Sequence, residues 1–160
     1  MAFEGLIAEN WLFDTLAGDA TLASALALDG RAPGYQVGVY AHMAPERDSR
    51  SNRAPQTPYI VFSRLGSEGG DERTIGGCRV FTDPVYRITV WDSGPGSVST
   101  ARLQTIADRI DTLLDNVATG TTPPGYCNRI GTEIPVVVQT DGGVDYGLSA
   151  TYSIRLQPSV

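Results

Sequence analysis

Lysine is missing from this chain. All twelve basic residues are arginine, set against eighteen acidic ones, for a formal net charge of −6. Phosphate neutralisation needs a surplus of cations, so this balance argues against a general nucleic-acid binder. Without lysine there is also no Gly-Lys-Ser/Thr, which removes the Walker-type nucleotide cradle. Histidine occurs once, at His42. Ser49 and Ser51 lie near it, but no Gly-x-Ser-x-Gly elbow accompanies them, and a lone histidine beside a polar segment is ordinarily solvated. Cysteine occurs twice, at Cys78 and Cys127, with no CxxC pair. Zinc takes about four nitrogen or sulfur ligands, so a structural zinc is not expected. Buried thiols are the default, and spacing leaves a disulfide open. No apolar run reaches the length of a membrane span, the longest being broken by Asp14, Gly18 and Asp19. The opening Met-Ala-Phe-Glu-Gly is acidic and lacks the positive region of a secretion signal. No cofactor, metal or membrane partner is expected.

What is present is enough for a core. The chain has 160 residues, 41% of them apolar, which suits a single domain over 1–160 without disulfide or metal support. Phe3, Leu6, Ile7, Trp11 and Leu12 recur at helical spacing within 3–17. Gly18 ends that helix, and Asp19 is placed to cap a short second one through Leu22, Leu26 and Leu28. The segment 35–41 alternates as a strand, and 58–64 has strand composition. The stretch 79–91 reads as another strand, interrupted at Asp83-Pro84. A helix follows, capped by Ser97 or Ser99, with Leu103, Ile106, Ile110, Leu113, Leu114 and Val117 on its apolar side. Asp108, Arg109, Asp111 and Asp115 fall on its remaining faces, as solvated charges. Strands are expected at 126–130, 134–140 and 146–156, the last alternating Leu148, Ala150, Tyr152, Ile154 and Leu156 against polar residues. Segregated helices and strands indicate an α+β fold, with helices on one face of a small, largely antiparallel or mixed sheet.

Two segments lack any apolar period, at about 42–57 and 66–78. Both read as long loops, and loops of this length are usually functional or disordered. The first carries Arg47, Arg50 and Arg53; the second carries Glu68, Asp71, Glu72 and Arg73. These seven are the candidate interface residues, since charged loops on a small sheet domain dock neighbours. Arginine suits that role through its planar, bidentate fork, although arginine-only usage also follows from GC-rich coding. The acidic residues Glu4, Glu9, Asp14, Asp19 and Asp29 have no basic companion nearby in sequence and offer a complementary surface.

Other motifs yield to plainer readings. Gly94-Pro-Gly96-Ser-Val-Ser99 lies between strand and helix, where a phosphate loop would lie, but the third glycine is replaced by Ser99. A tight turn explains it. Gly69-Gly-Asp-Glu-Arg73 resembles a diguanylate cyclase signature over only four letters, without that family's alternating strands and helices. A charged hairpin tip explains it better.

The ordered set of pieces is more specific than any one of them. It runs Leu16-Ala-Gly-Asp-Ala-Thr-Leu-Ala-Ser-Ala-Leu, Val39-Tyr40 leading to Ala44-Pro45, then Pro58-Tyr-Ile-Val-Phe. Tyr86-Arg-Ile-Thr-Val-Trp91-Asp follows, then a Gly/Ser turn, then Ala101-Arg-Leu-Gln-Thr-Ile-Ala-Asp-Arg-Ile-Asp-Thr-Leu-Leu-Asp and the closing strand 146–156. In order and spacing this resembles the tail completion family of siphophages and gene transfer agents, which includes tail terminators and tail-to-head joining proteins. The resemblance implies a ring-forming subunit, a homohexamer on the head-proximal end of the tail tube. Its partners would be its own copies, the tail tube protein and the head–tail connector or stopper. DNA would pass through without specific binding, and the protein would reside in the virion tail after assembly in host cytoplasm. The family has no catalytic residues to carry over. The segment 43–57 is longer than the family's usual link between Ala-Pro and Pro-Tyr, which implies an elaborated contact. The alternatives are a head-side neck or connector completion protein, a small nucleotide-binding enzyme using the Gly94–Ser99 turn, and a generic binding module.

Overall fold

The computed structural model describes residues 3–26, 38–44, 57–67, 72–73, 79–81, 83–94, 100–122, 124–131, 134–140 and 143–157. Among the described residues three helices form: α1 (Phe3–Gly18), α2 (Ala20–Ala25) and α3 (Thr100–Leu114). The strands are β1 (Val39–Ala41), β2 (Tyr59–Ser67), β3 (Glu72–Arg73), β4 (Arg79–Phe81), β5 (Pro84–Gly94), β6 (Val117–Ala118), β7 (Gly125–Arg129), β8 (Ile134–Thr140) and β9 (Gly143–Leu156). Seven of them make one mixed, largely antiparallel sheet in the order β1-β2-β5-β9-β7-β6, with β8 also on β9. Among the described residues only β1 runs parallel to its neighbour, β2. The fold is α+β.

The sheet is organised by pleat. Ile60, Phe62, Tyr86, Ile88, Val90, Tyr152, Ile154 and Leu156 are buried on one face, with Ile60 opposite Val90, Phe62 opposite Ile88, and Tyr86 opposite Tyr152. The helices lie on that face. On α1 the buried row is Ala8, Leu12 and Leu16, four residues apart; on α3 it is Leu103, Ile106, Ala107, Ile110 and Leu114. Those intervals align along one side of a helix, so each row meets the sheet as a continuous ridge. Ile88, Val90, Ile106 and Ile110 belong to the same apolar cluster. The reverse face mixes polar and apolar side chains: Thr89 and Ser149 share a buried hydroxyl–hydroxyl hydrogen bond of 2.8 Å, and the Trp91 ring lies against Gly147.

β9 is shared. β5 runs along one of its edges from Val144 to Ser153. The other edge is divided, with β8 pairing Gly143–Ser149 and β7 pairing Tyr152–Leu156. β7 fits because Gly125 has no side chain. A Cβ there would sit 2.6 Å from the Arg155 carbonyl oxygen and closer still to Leu156.

Several expectations need correction. α2 stops at Ala25, short of Leu28, because Leu26 is already extended at φ −74°, ψ 135°. α3 stops at Leu114: Asn116 takes a left-handed φ of 59°, which breaks the spacing that Val117 would continue, and Val117 pairs as a strand with Cys127. The second expected loop is partly structured. β2 runs on to Ser67, and β3 and β4 form a two-stranded ribbon. Leu6, expected on the apolar side of α1, is 52% exposed. Of the strand expected at 35–41, Val39–Ala41 form β1. Most of 42–57, the remainder of 66–78 with Cys78, Leu28, residues 35–37 and the Gly94–Ser99 turn beyond Gly94 lie outside the described residues.

Leu6 and Leu12, both on α1, are thus a direct test of this packing. Leu12, with no exposure, should cost about 3 kcal/mol when changed to alanine, through lost transfer energy and a residual cavity. Leu6→Ala should stay within about 0.5 kcal/mol of wild type. Urea unfolding midpoints measure both.

Candidate assembly surface

Polar chemistry inside the fold is spent on joining elements. Asp19 accepts from the Leu22 backbone N–H at 2.8 Å, capping α2 as its sequence position implies. The same carboxylate takes two hydrogen bonds from Arg109 on α3, from Nε to Oδ1 at 3.1 Å and from Nη2 to Oδ2 at 2.6 Å. Asp19 therefore does have a basic companion, ninety positions away. The Arg109 hydrogen bonds hold its carboxyl below the usual value of 3.8, helped by the Leu22 amide and opposed by burial.

A second junction ties α3 to the sheet. The Tyr152 hydroxyl donates to Asp111 Oδ1 at 2.9 Å, and Arg129 Nη1 donates to Oδ2 at 2.7 Å. The Arg129 backbone N–H donates to Asp115 Oδ1 at 2.9 Å, and its Nε to the Gly131 carbonyl at 3.0 Å. Burial pushes the Tyr152 hydroxyl up, and the Asp111 carboxylate pushes it further. Asp111 and Asp115 are therefore not simply solvated charges, as the helical pattern alone suggests. Asp108 is exposed and accepts from Gln104 Nε2 at 2.9 Å, within the helix. A third pair joins Arg155 on β9 to buried Asp83, from Nε to Oδ1 at 3.1 Å and Nη2 to Oδ2 at 3.0 Å. Bidentate pairs of this kind fix orientation as well as adding attraction.

None of this makes a reaction centre. Among the described residues no group of three His, Cys, Asp or Glu is placed to hold a metal ion. Cys127 is a buried free thiol whose pKa is pushed up to about 12, by burial first and then by the Asp115 charge, so it is not a nucleophile at neutral pH. His42 is exposed, with Nε2 3.7 Å from Glu9 Oε2 and no serine partner among the described residues. No helix is long and apolar enough to cross a membrane, among the described residues.

The seven charged candidates fall mostly outside the described residues: Arg47, Arg50, Arg53, Glu68 and Asp71 do so entirely. Glu72 and Arg73 are placed by their backbone, as β3, with Glu72 opposite Phe81 and Arg73 opposite Arg79. What the structure adds is apolar. Among the described residues several large apolar side chains are exposed. Leu6 is on α1, Met43 follows β1, and Leu65 is on β2. Ile134, Val137 and Val138 are on β8, Tyr126 is on β7, and Ile130 follows it. Val137 is 61% exposed and Ile134 60%. The signal was present in the letters Ile134-Pro-Val-Val-Val138, an uncharged run that does not alternate and carries a proline. Proline in a strand marks an edge, because it has no N–H to donate.

Replacing the junction at Asp19 has a calculable sign. A carboxyl held below its unfolded value stabilises the fold above pH 3.8, and that contribution is lost as pH falls toward the lower folded value. Asp19→Asn should lose about 1–2 kcal/mol at pH 7, and its Tm should fall less steeply than wild type between about pH 5 and pH 2. Calorimetric scans across that range test both parts.

No family model matches the chain, and no curated protein matches it. Solved structures do. One is a chain of the virion of a native gene transfer agent particle, at 13% identity and a TM-score of 0.54, with 92% of each chain covered. Another solved chain matches at the same identity and TM-score, over 99% of this chain and 100% of its own length. At such identity the likeness is one of fold, and it extends over nearly the whole of each chain: the α+β arrangement found here is one that a gene transfer agent particle also contains.

Proposed function

We propose that this protein is a structural virion subunit of the tail terminator kind. It forms a homohexameric ring on the head-proximal end of the tail tube, stops tube growth and joins the tail to the head connector. The observation that carries this reading is the shared fold, over 92% of both chains, with a component of a gene transfer agent virion. The ordered motifs from Leu16 to the closing strand support it independently, because they resemble the tail completion family in sequence rather than in shape. The role needs no catalytic group and no cofactor. Its partners are further copies of the chain, the tail tube protein and the connector or stopper, with DNA passing through unread. A net charge of −6 suits a ring that must not hold that DNA.

In this reading Arg47, Arg50, Arg53, Glu68, Asp71, Glu72 and Arg73 face partners. A ring closes by rotation, so every subunit presents two different complementary patches. Asp19 is not one of the complementary acids, since Arg109 already occupies it.

Two measurements test the proposal. Purified protein mixed with bare tail tubes and with tailless heads should bind the tube end and appear there as a ring in negative stain. Binding to heads alone would instead favour a neck protein on the head side. The variant Arg47→Glu/Arg50→Glu/Arg53→Glu should lower the mass seen by light scattering from a particle of about six subunits toward the monomer. An unchanged mass would remove these arginines from the interface.

A further inference from the structure

The helices take one face of the sheet, packing with Ile88 and Val90. Pleat and register set out the rows of the reverse face. Tyr59, Trp91, Gly147 and Val136 stand side by side across β2, β5, β9 and β8. The next row toward the β8–β9 turn brings Ser93, Asp145 and Val138 together. Tyr40 of β1 packs edge-on against the Tyr59 ring, with centroids 5.9 Å apart.

Gly147 lets the Trp91 ring cross from one strand to the next. A Cβ at Gly147 would be 3.1 Å from two carbons of the six-membered ring, so the indole leans from β5 onto β9. Asp145 lies two residues earlier on β9 and is the diagonal neighbour of Trp91 on this face. Such neighbours are about 7–8 Å apart, within reach of one long side chain laid between them. Trp91 and Val136 are half-buried, and Val138 is 42% exposed.

Asp145 is half-buried, and its carboxylate has no ion pair or hydrogen bond among the described residues. Asp19, Asp83 and Asp111, by contrast, each hold an arginine. The charge of Asp145 is felt across the face: burial first, and then Asp145, raise the Tyr59 hydroxyl above its ordinary value of 10.0. A carboxylate drawn part-way out of water without a cation is unfavourable, and a cation brought to it relieves this.

We propose that Trp91, Val136, Val138 and Asp145 form a docking site for an arginine side chain of a different protein. The face of an indole attracts a cation, and a guanidinium can stack there while its planar fork takes a carboxylate. Val136 and Val138 are placed to cover the aliphatic stem. The charge pattern selects the occupant. A second copy of this face would set Asp145 against Asp145, and like charges across an interface are strongly disfavoured. Arg109, Arg129 and Arg155 of a further copy already hold carboxylates. A chain of net charge −6 draws basic partners, and one presenting arginine between apolar residues fits all four groups at once. The site is separate from the charged candidates at 47–53 and 68–73 and does not depend on the ring.

The probe is the blocked peptide acetyl-Leu-Arg-Leu-amide, set against the same peptide with citrulline, which keeps the shape and loses the charge. In heteronuclear NMR spectra of the full chain, the indole N–H signal of Trp91, told from that of Trp11 by Trp11→Phe, should move with the arginine peptide. The citrulline peptide should bind at least about tenfold more weakly, and so should the arginine peptide to Asp145→Asn. Asp108→Asn, on the exposed side of α3, should bind as wild type does. Circular dichroism melts show which variants are folded, and the comparison of the two peptides on wild type needs none of them. A Trp91 signal that stays still at about 10 mM arginine peptide overturns the site. Equal binding of the two peptides, or undiminished binding to folded Asp145→Asn, overturns the guanidinium as its ligand. Each result is independent of the mass seen by light scattering, which reads the ring.

Discussion

The fourteen-residue strand β9 is the constraint from which the rest of the fold follows. One of its edges is taken up by β5, and its other edge is portioned between β8 and β7. Neither of those shorter strands can lengthen toward the other without collision. Gly131, pressed against Thr151 in the gap between them, shows how little room there is. The division also explains the exposure of β8, which is held on β9 but extends away from the level where α3 is tied to the sheet. Tyr152 marks that level, reaching Asp111 from the middle of β9's buried row.

The helices are held to this strand by two distinct means. Apolar rows supply the bulk attraction, which has no direction and tolerates sliding. Carboxylates supply position. Asp19 binds the start of α2 and the Arg109 side chain of α3 with the same two oxygens, and Asp111 binds Tyr152 and Arg129 with its own. Each is a point where three elements or segments meet, and each leaves the carboxylate with little capacity to serve an external partner. Outward-facing function is therefore left to the groups these junctions do not use.

Local patterns were readable from the sequence wherever one element determined them. The 103-106-110-114 row, the Asp19 cap, the alternation of β9 and the α+β class all follow from spacing and side-chain chemistry within a few residues, whereas on α1 the spacing finds Leu12 but not Ala8 or Leu16 and puts exposed Leu6 on the apolar side. What escaped was long-range or broke a local rule. Arg109 finds Asp19 across the fold, and no spacing encodes that. Val117 keeps helical spacing from Leu114, yet Asn116 turns the chain out of the helix. Glu72 and Arg73 form a strand inside a glycine-rich polar run, because pairing with β4 outweighs composition. The exposed apolar side chains of β8 were missed for a further reason: the charged loops have the composition of interface material, while 134–140 reads as one more strand. Only the absence of a neighbour beyond β8, among the described residues, reveals it as surface.

β9 also sets a schedule for the chain. It comes later in sequence than every strand it joins, and its pairing with β5 links positions such as Val90 and Leu148 that are far apart along the polypeptide. During synthesis β5 and β7 emerge before the strand that unites them, so their edges stay unsatisfied until the final stretch appears. Contacts of such wide separation close slowly, since the intervening chain must be ordered first. A nascent chain that stalls before residue 143 would present β5, β7 and the uncharged β8 together, a combination that invites aggregation. Late pairing of β9 therefore decides which strands are left open: chains that include it cover the edges of β5 and β7, and chains cut before it leave both exposed.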